Sequence, residues 1–79
     1  MVYCDYVSNT ESTVTYRYGA SVDDITGVVI FHFLDDMIEL AQDPKLESPP
    51  ERHVHSLYGL NREKFRKGIF REKISYENG

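Results

Sequence analysis

Ile25-Thr26-Gly27-Val28-Val29-Ile30-Phe31-His32-Phe33-Leu34 decides the fold. Ile, Val and Phe crowd this stretch, and all three suit the pleated surface of a strand. One set of alternate positions holds Ile25, Val29, Phe31 and Phe33, and the other holds Val28, Ile30, His32 and Leu34. With both faces apolar, residues 25–34 are expected to form the central strand of a sheet with matter packed on each side.

Upstream, Thr13-Val14-Thr15-Tyr16-Arg17-Tyr18 alternates with period two, so Val14, Tyr16 and Tyr18 share one face of a half-buried strand. The polar run at residues 8–13 reads as a loop or lead-in, and residues 19–24 as a turn. Downstream, residues 35–43 fit two readings. Asp36 caps a short helix with Glu39 three residues on, or Asp35-Asp36 turns a hairpin and Ile38 and Leu40 alternate in a second strand. Met, Glu, Leu, Ala and Gln are good helix formers, which tilts the choice towards helix.

After Pro44, the run Ser48-Pro49-Pro50-Glu51 has the form of a capping box with proline in the first turn. A helix is expected from there to Tyr58, ended by Gly59. Asn61 then caps a second short helix, unless one helix bends at Gly59. Gly68 ends the helical region, and Ile69 to Tyr76 close the sheet with Phe70, Ile74 and Tyr76 inward. The expected class is α+β, one small domain over residues 1–79. It would hold a small antiparallel sheet of three to four strands, with one or two helices packed on one face.

At 79 residues, with 41% hydrophobic and 28% charged side chains, the balance is that of a folded domain rather than a disordered chain. The lone cysteine, Cys4, allows no internal disulfide and reads as a small buried hydrophobe. Met1 to Asp5 show neither the basic start nor the apolar run of a signal peptide, and no stretch is long enough to cross a membrane. A cytoplasmic setting without membrane contact is expected.

Charge divides along the chain. Residues 1–50 hold nine acids and two bases, net −7, whereas residues 51–79 hold four acids and seven bases, net +3; together they give −4. Six of the nine bases lie between Arg62 and Lys73.

Motifs for chemistry are weak. The acid pairs Asp23-Asp24 and Asp35-Asp36 flank the 25–34 strand, whose ten residues at ~3.3 Å each hold them roughly 30 Å apart, too far for one cation. They read as solvated turn residues. His53 and His55, two apart on a helix, point to nearly opposite sides and make a poor chelate. No nucleophile elbow and no Gly-rich phosphate loop is present. No metal, no cofactor and no catalytic residue is expected. A small hydrolase would need a pocket holding His32, His53 or His55 beside a carboxylate.

Two binding readings remain. If helices cover one face of the sheet, Val28, Ile30 and Leu34, or the opposite set, stay under-covered on the other, and such apolar faces mark interfaces. Burying ~400 Å² of it per subunit removes about 10 kcal/mol of gross hydrophobic cost, before association entropy. A homodimer or protein-interaction module follows, with Tyr16, Tyr18, Arg62, Arg66 and Lys67 as contact residues. Alternatively, Arg62, Lys64, Arg66, Lys67, Arg71 and Lys73, interleaved with Phe65 and Phe70, attract nucleic acid. The acidic balance of the whole chain opposes that second reading.

Overall fold

The computed structural model describes residues 1–77. Strands β1 (Val2–Asn9), β2 (Thr13–Gly19), β3 (Gly27–His32) and β4 (Met37–Gln42) run consecutively; helix α1 (Glu51–Arg66) and strand β5 (Lys73–Tyr76) follow. The sheet is antiparallel throughout in the order β4-β3-β2-β1-β5, with α1 laid across one face. The protein is therefore α+β, with five strands rather than three or four, and one helix.

The alternation at 13–18 places Val14, Tyr16 and Tyr18 on the helix side, all buried. Pairing of Tyr16 with Val29 and of Val14 with Phe31 brings the inward sets of β2 and β3 together. β3 is interior, as expected, but shorter than 25–34 and not the middle strand; β2 holds that place. The extra strand is β1, whose Val2 and Cys4 are buried opposite Ile74 and Tyr76 of β5. It extends to Asn9, into the stretch expected to be loop.

Residues 37–42 form a strand, so the hairpin reading holds and the helical preference of this composition is overridden. Ile38 and Leu40 sit opposite Phe31 and Val29 and pack against the core, while Glu39 points away. Nonlocal pairing outweighs a few tenths of a kcal/mol of helix propensity per residue. At the hairpin tip Asp36 adopts φ 54°, a left-handed conformation that Asp tolerates better than most residues.

The helix is single and continuous through Gly59. His53, Val54, Leu57, Tyr58, Asn61 and Phe65 form one buried stripe along it, and this stripe carries the helix past the glycine. Asn61 does not cap a second helix; its Nδ2 donates to the Leu57 carbonyl at 2.9 Å. Nor does Ser48 cap the first turn, since Pro50 occupies the N-cap position with no side-chain bond. Termination comes where expected, at Gly68 with φ 77°. There the Ile69 N–H reaches the Lys64 carbonyl at 2.8 Å and the Gly68 N–H reaches that of Phe65 at 3.0 Å, a Schellman stop.

Gly59 faces solvent with open space around its missing side chain. Gly59→Ala is expected to raise stability by about 0.5–1 kcal/mol through lower unfolded-chain entropy, read as a higher urea midpoint. A lower midpoint would contradict an undistorted, exposed helix at this position.

Phe65 sits at the centre of the core. Its ring lies 5.6 Å from Phe31, 6.0 Å from Tyr16, 6.3 Å from Tyr58 and 5.9 Å from Phe70. Phe70 belongs not to the closing strand but to the segment before it, which is pinned where the Tyr16 hydroxyl donates to the Arg71 carbonyl at 2.9 Å.

Candidate functional site

Because α1 covers one face only, the outward side chains of the strands form an open surface. The pairing registers define its rows. Val28, Arg17, Asp5 and Lys73 lie abreast across β3, β2, β1 and β5. Glu39, Ile30 and Thr15 form the next row, and Met37, His32 and Thr13 the third. Val28, Ile30, His32, Thr13, Thr15 and Tyr3 are half-buried, and α1, the one helix among the described residues, packs on the other face against Phe31.

This face is more mixed than β3 alone suggests, because β2 contributes Thr13, Thr15 and Arg17 to it. Lys73 Nζ sits 3.1 Å from Asp5 Oδ1, and His32 Nε2 sits 3.1 Å from Glu39 Oε1. At one end the loop 20–26 crosses the face: Val22 and Ile25 line a groove of about 290 Å³ with Tyr3 and Ser75. That loop is held by Asp24, which is buried rather than solvated as expected. Its carboxylate accepts from the Thr26 hydroxyl at 2.7 Å and from the Leu46 N–H at 2.8 Å.

A second polar cluster lies at the β3–β4 tip. Asp36 Oδ1 accepts from the Tyr58 hydroxyl at 2.7 Å and from Arg66 at 3.1 Å, and Oδ2 accepts from Arg62 at 3.0 Å. Arg62 Nε also approaches Oδ1 at 2.7 Å, an ion contact rather than an aligned hydrogen bond. Arg66 Nε donates to the Phe33 carbonyl at 2.8 Å. Asp36 is thus the staple that fastens the hairpin to the helix.

Each expected contact residue has a definite place. Tyr16 and Tyr18, at 0% and 1% exposure, are core residues and present no contact surface. Burial pushes the Tyr16 phenol up to about 12 and the Cys4 thiol likewise to about 12, so neither ionises near neutrality and Cys4 is inert. The basic segment does not form one face. Arg62 and Arg66 turn to Asp36 and Lys73 to Asp5, while Lys67 is exposed beyond the helix end. Only Lys64, Arg71 and Lys73 meet, around a groove beside β5. Sequence reasoning missed the open-face residues Tyr3 and Asp5, because it assigned no strand to residues 2–7.

The histidines separate as the helix requires: His53 is buried and His55 exposed. The amino group of Met1 lies 3.1 Å from His53 Nδ1, and its ring rests 5.5 Å from Tyr76. Burial first, then the Met1 amino group and Arg52, lower the His53 pKa from its ordinary 6.5. His55 and Glu51 line a shallow groove of about 270 Å³ whose other walls are Ile38, Leu40 and Val54, with no hydroxyl or thiol. Among the described residues no group of three or more His, Cys, Asp or Glu side chains converges as a metal site needs. No helix among them is long and apolar enough to cross a membrane.

These shifts predict an acid-sensitive fold. The Thr26 hydroxyl, aided by backbone N–H groups, lowers the Asp24 pKa, and the Tyr58 hydroxyl, then Arg62 and Arg66, lower that of Asp36. For both, stabilisation is complete above the ordinary 3.8 and is lost as pH falls below it towards the folded value. The depressed His53 acts with the same sign in a higher window, its loss beginning as pH drops through 6.5. Urea midpoints should fall in two stages on acidification, and His53→Gln should flatten the upper stage only. A midpoint unchanged from pH 7 down to 5 would contradict the buried neutral imidazole.

No known protein family, no curated protein and no solved structure matches this chain.

Proposed function

We propose that the protein is a small non-enzymatic interaction module that works as a homodimer through the sheet face opposite α1. The carrying observation is that α1, the one helix among the described residues, packs on the Phe31 face, while Val28 and Ile30 on the opposite face remain only half-buried. The charges on this face also suit a two-fold contact. Arg17, Asp5, Lys73, Glu39 and His32 offer both signs, so each protomer can meet its own complement.

The polar neighbours of Val28 and Ile30 reduce the apolar area below what the sequence suggests. The dimer is therefore a weak one. A cytoplasmic setting belongs to the same reading, supported by the single buried thiol of Cys4. The alternative, binding nucleic acid through residues 62–73, has less support. Arg62, Arg66 and Lys73 already hold carboxylates within the chain.

Sedimentation velocity over a concentration series, at low and high salt, tests the dimer. Concentration-dependent association is expected, and Ile30→Glu should abolish it without changing the circular dichroism of the fold. A monomer at every concentration and salt removes the proposal. Affinity for an oligonucleotide that falls steeply with salt would favour the alternative.

A further inference from the structure

The sheet has a free edge beside the helix at β5. β5 pairs with β1 on one side only, and no strand among the described residues flanks the other. The register shows which backbone groups face outward. Tyr6 N–H donates to the Glu72 carbonyl at 2.8 Å, so this pair and every second pair after it, Cys4–Ile74 and Val2–Tyr76, are the hydrogen-bonded ones. Lys73 and Ser75 lie between them. Their N–H and C=O groups therefore point away from β1, along the open edge.

Next to this edge, α1 and β5 enclose a groove of about 380 Å³ lined by Leu60, Lys64, Arg71, Lys73 and Ile74. Lys64 and Arg71 border it, together with Lys73, which is also 3.1 Å from Asp5 Oδ1, and among the described residues its lining holds no carboxylate. Leu60 is an apolar side chain 67% exposed on the helix, aimed at no core. An exposed edge, an apolar contact and a cationic rim are the components of strand addition to a sheet edge beside a helix.

We propose that the α1–β5 groove binds an extended acidic peptide, which adds to the sheet as a further strand along β5. Main-chain bonds to Lys73 and Ser75 supply register. Alternate peptide side chains then face either the Leu60–Lys64 wall or the open-face side at Lys73. Carboxylates meet Lys64 and Arg71, and an apolar residue covers Leu60. A second copy's β5 is the poorer occupant, because it would set Lys73 and Arg71 against their own like charges. The inference does not rest on the dimer, whose contact centres on Ile30, although Lys73 borders both surfaces.

The probe is a fluorescein-labelled peptide of roughly ten residues alternating glutamate and valine, long enough to overrun β5 at ~3.3 Å per residue. Fluorescence anisotropy follows its binding, and amide chemical shifts locate it on the full chain. Saturable binding is expected, with shifts at residues 60–64 and 71–76. Three changes should each weaken it at least ~10-fold: lysine in place of glutamate in the peptide, N-methylation of alternate peptide amides, and the double variant Lys64→Glu/Arg71→Glu. The N-methylated probe needs no protein variant, so misfolding cannot mimic its result. Ile30→Glu protein should bind the peptide unchanged. The proposal is overturned by no binding at millimolar peptide, by equal binding of the N-methylated probe, or by shifts elsewhere. Concentration-dependent shifts along β5 in Ile30→Glu protein without peptide would assign the edge to a second copy instead. Binding of oligothymidylate in the groove with none of the acidic peptide would assign it to nucleic acid.

Discussion

Phe65→Ala is expected to remove a large fraction of the domain's stability, about 3–5 kcal/mol. A chain of 79 residues has a total stability of only about 4–12 kcal/mol at typical per-residue values. Truncating a fully enclosed phenylalanine costs about 3–5 kcal/mol, the lost transfer energy plus the cavity it leaves. Phe65 is 1% exposed, and five aromatic rings surround it: Tyr16, Phe31, Phe33, Tyr58 and Phe70. Those rings come from β2, from β3 and the turn after it, from α1 itself and from the segment before β5. The void therefore opens where the helix meets the sheet, and no single neighbour can swing in to close it. Urea denaturation followed by circular dichroism measures the loss. Phe65→Leu, which keeps most of the volume, should cost about 1–1.5 kcal/mol. A loss below about 1 kcal/mol for the alanine variant would mean that the helix does not rest on this ring.

Gly19→Ala is expected to be the most damaging surface-distal change for its size, because it adds one methyl group. The added Cβ would stand 1.8 Å from the Asp24 carbonyl oxygen, 2.7 Å from its carbon and 3.2 Å from the Ile25 Cα. All three atoms are backbone, so no side-chain rotation relieves the clash. Either the end of β2 bends, or loop 20–26 lifts from the sheet and pulls Asp24 off the Leu46 and Glu47 N–H groups. Overpacking of this kind costs about 3 kcal/mol, at the upper end of the usual range. The urea midpoint reports the loss, and faster hydrogen exchange at Leu46 would show that the loop is what moved. A midpoint equal to that of the parent protein would sink this account of the crossing. Gly59→Ala shifts the midpoint the other way, because nothing stands where its Cβ would go.

Much of the architecture was legible where a pattern repeats locally. The alternation from Thr13 to Tyr18 and the apolar stretch around Val29 and Phe31 identified two strands, and the alternation also showed which face of the first is apolar. A helix from Glu51 to Tyr58 was legible and Gly68 marked the end of the helical region, but not that one helix runs unbroken through Gly59. Other elements resisted for physical reasons. Met37 to Gln42 contain helix-forming residues that become a strand only by pairing with β3. In β1, Val2 and Cys4 look inward only once β2 and β5 flank them. The candidate surfaces were less legible still. Tyr16 and Tyr18 suit an interface by composition, yet the same amphipathic ring also suits a core when its hydroxyl finds a partner, as Tyr16 does at Arg71.

What the amino-acid order determined by itself is periodicity: which stretches extend, which coil, and which side chains share a face, because these depend on neighbours two to four residues away. Tertiary structure alone decided which strands lie at the edges and which cations stay unpaired. Asp36 captures Arg62 and Arg66 across 26 and 30 positions, and Asp5 captures Lys73 across 68. Partners so distant in the chain meet only after the sheet has closed, so no local reading of residues 62–73 reveals that Lys64 and Arg71 are left facing the groove at β5.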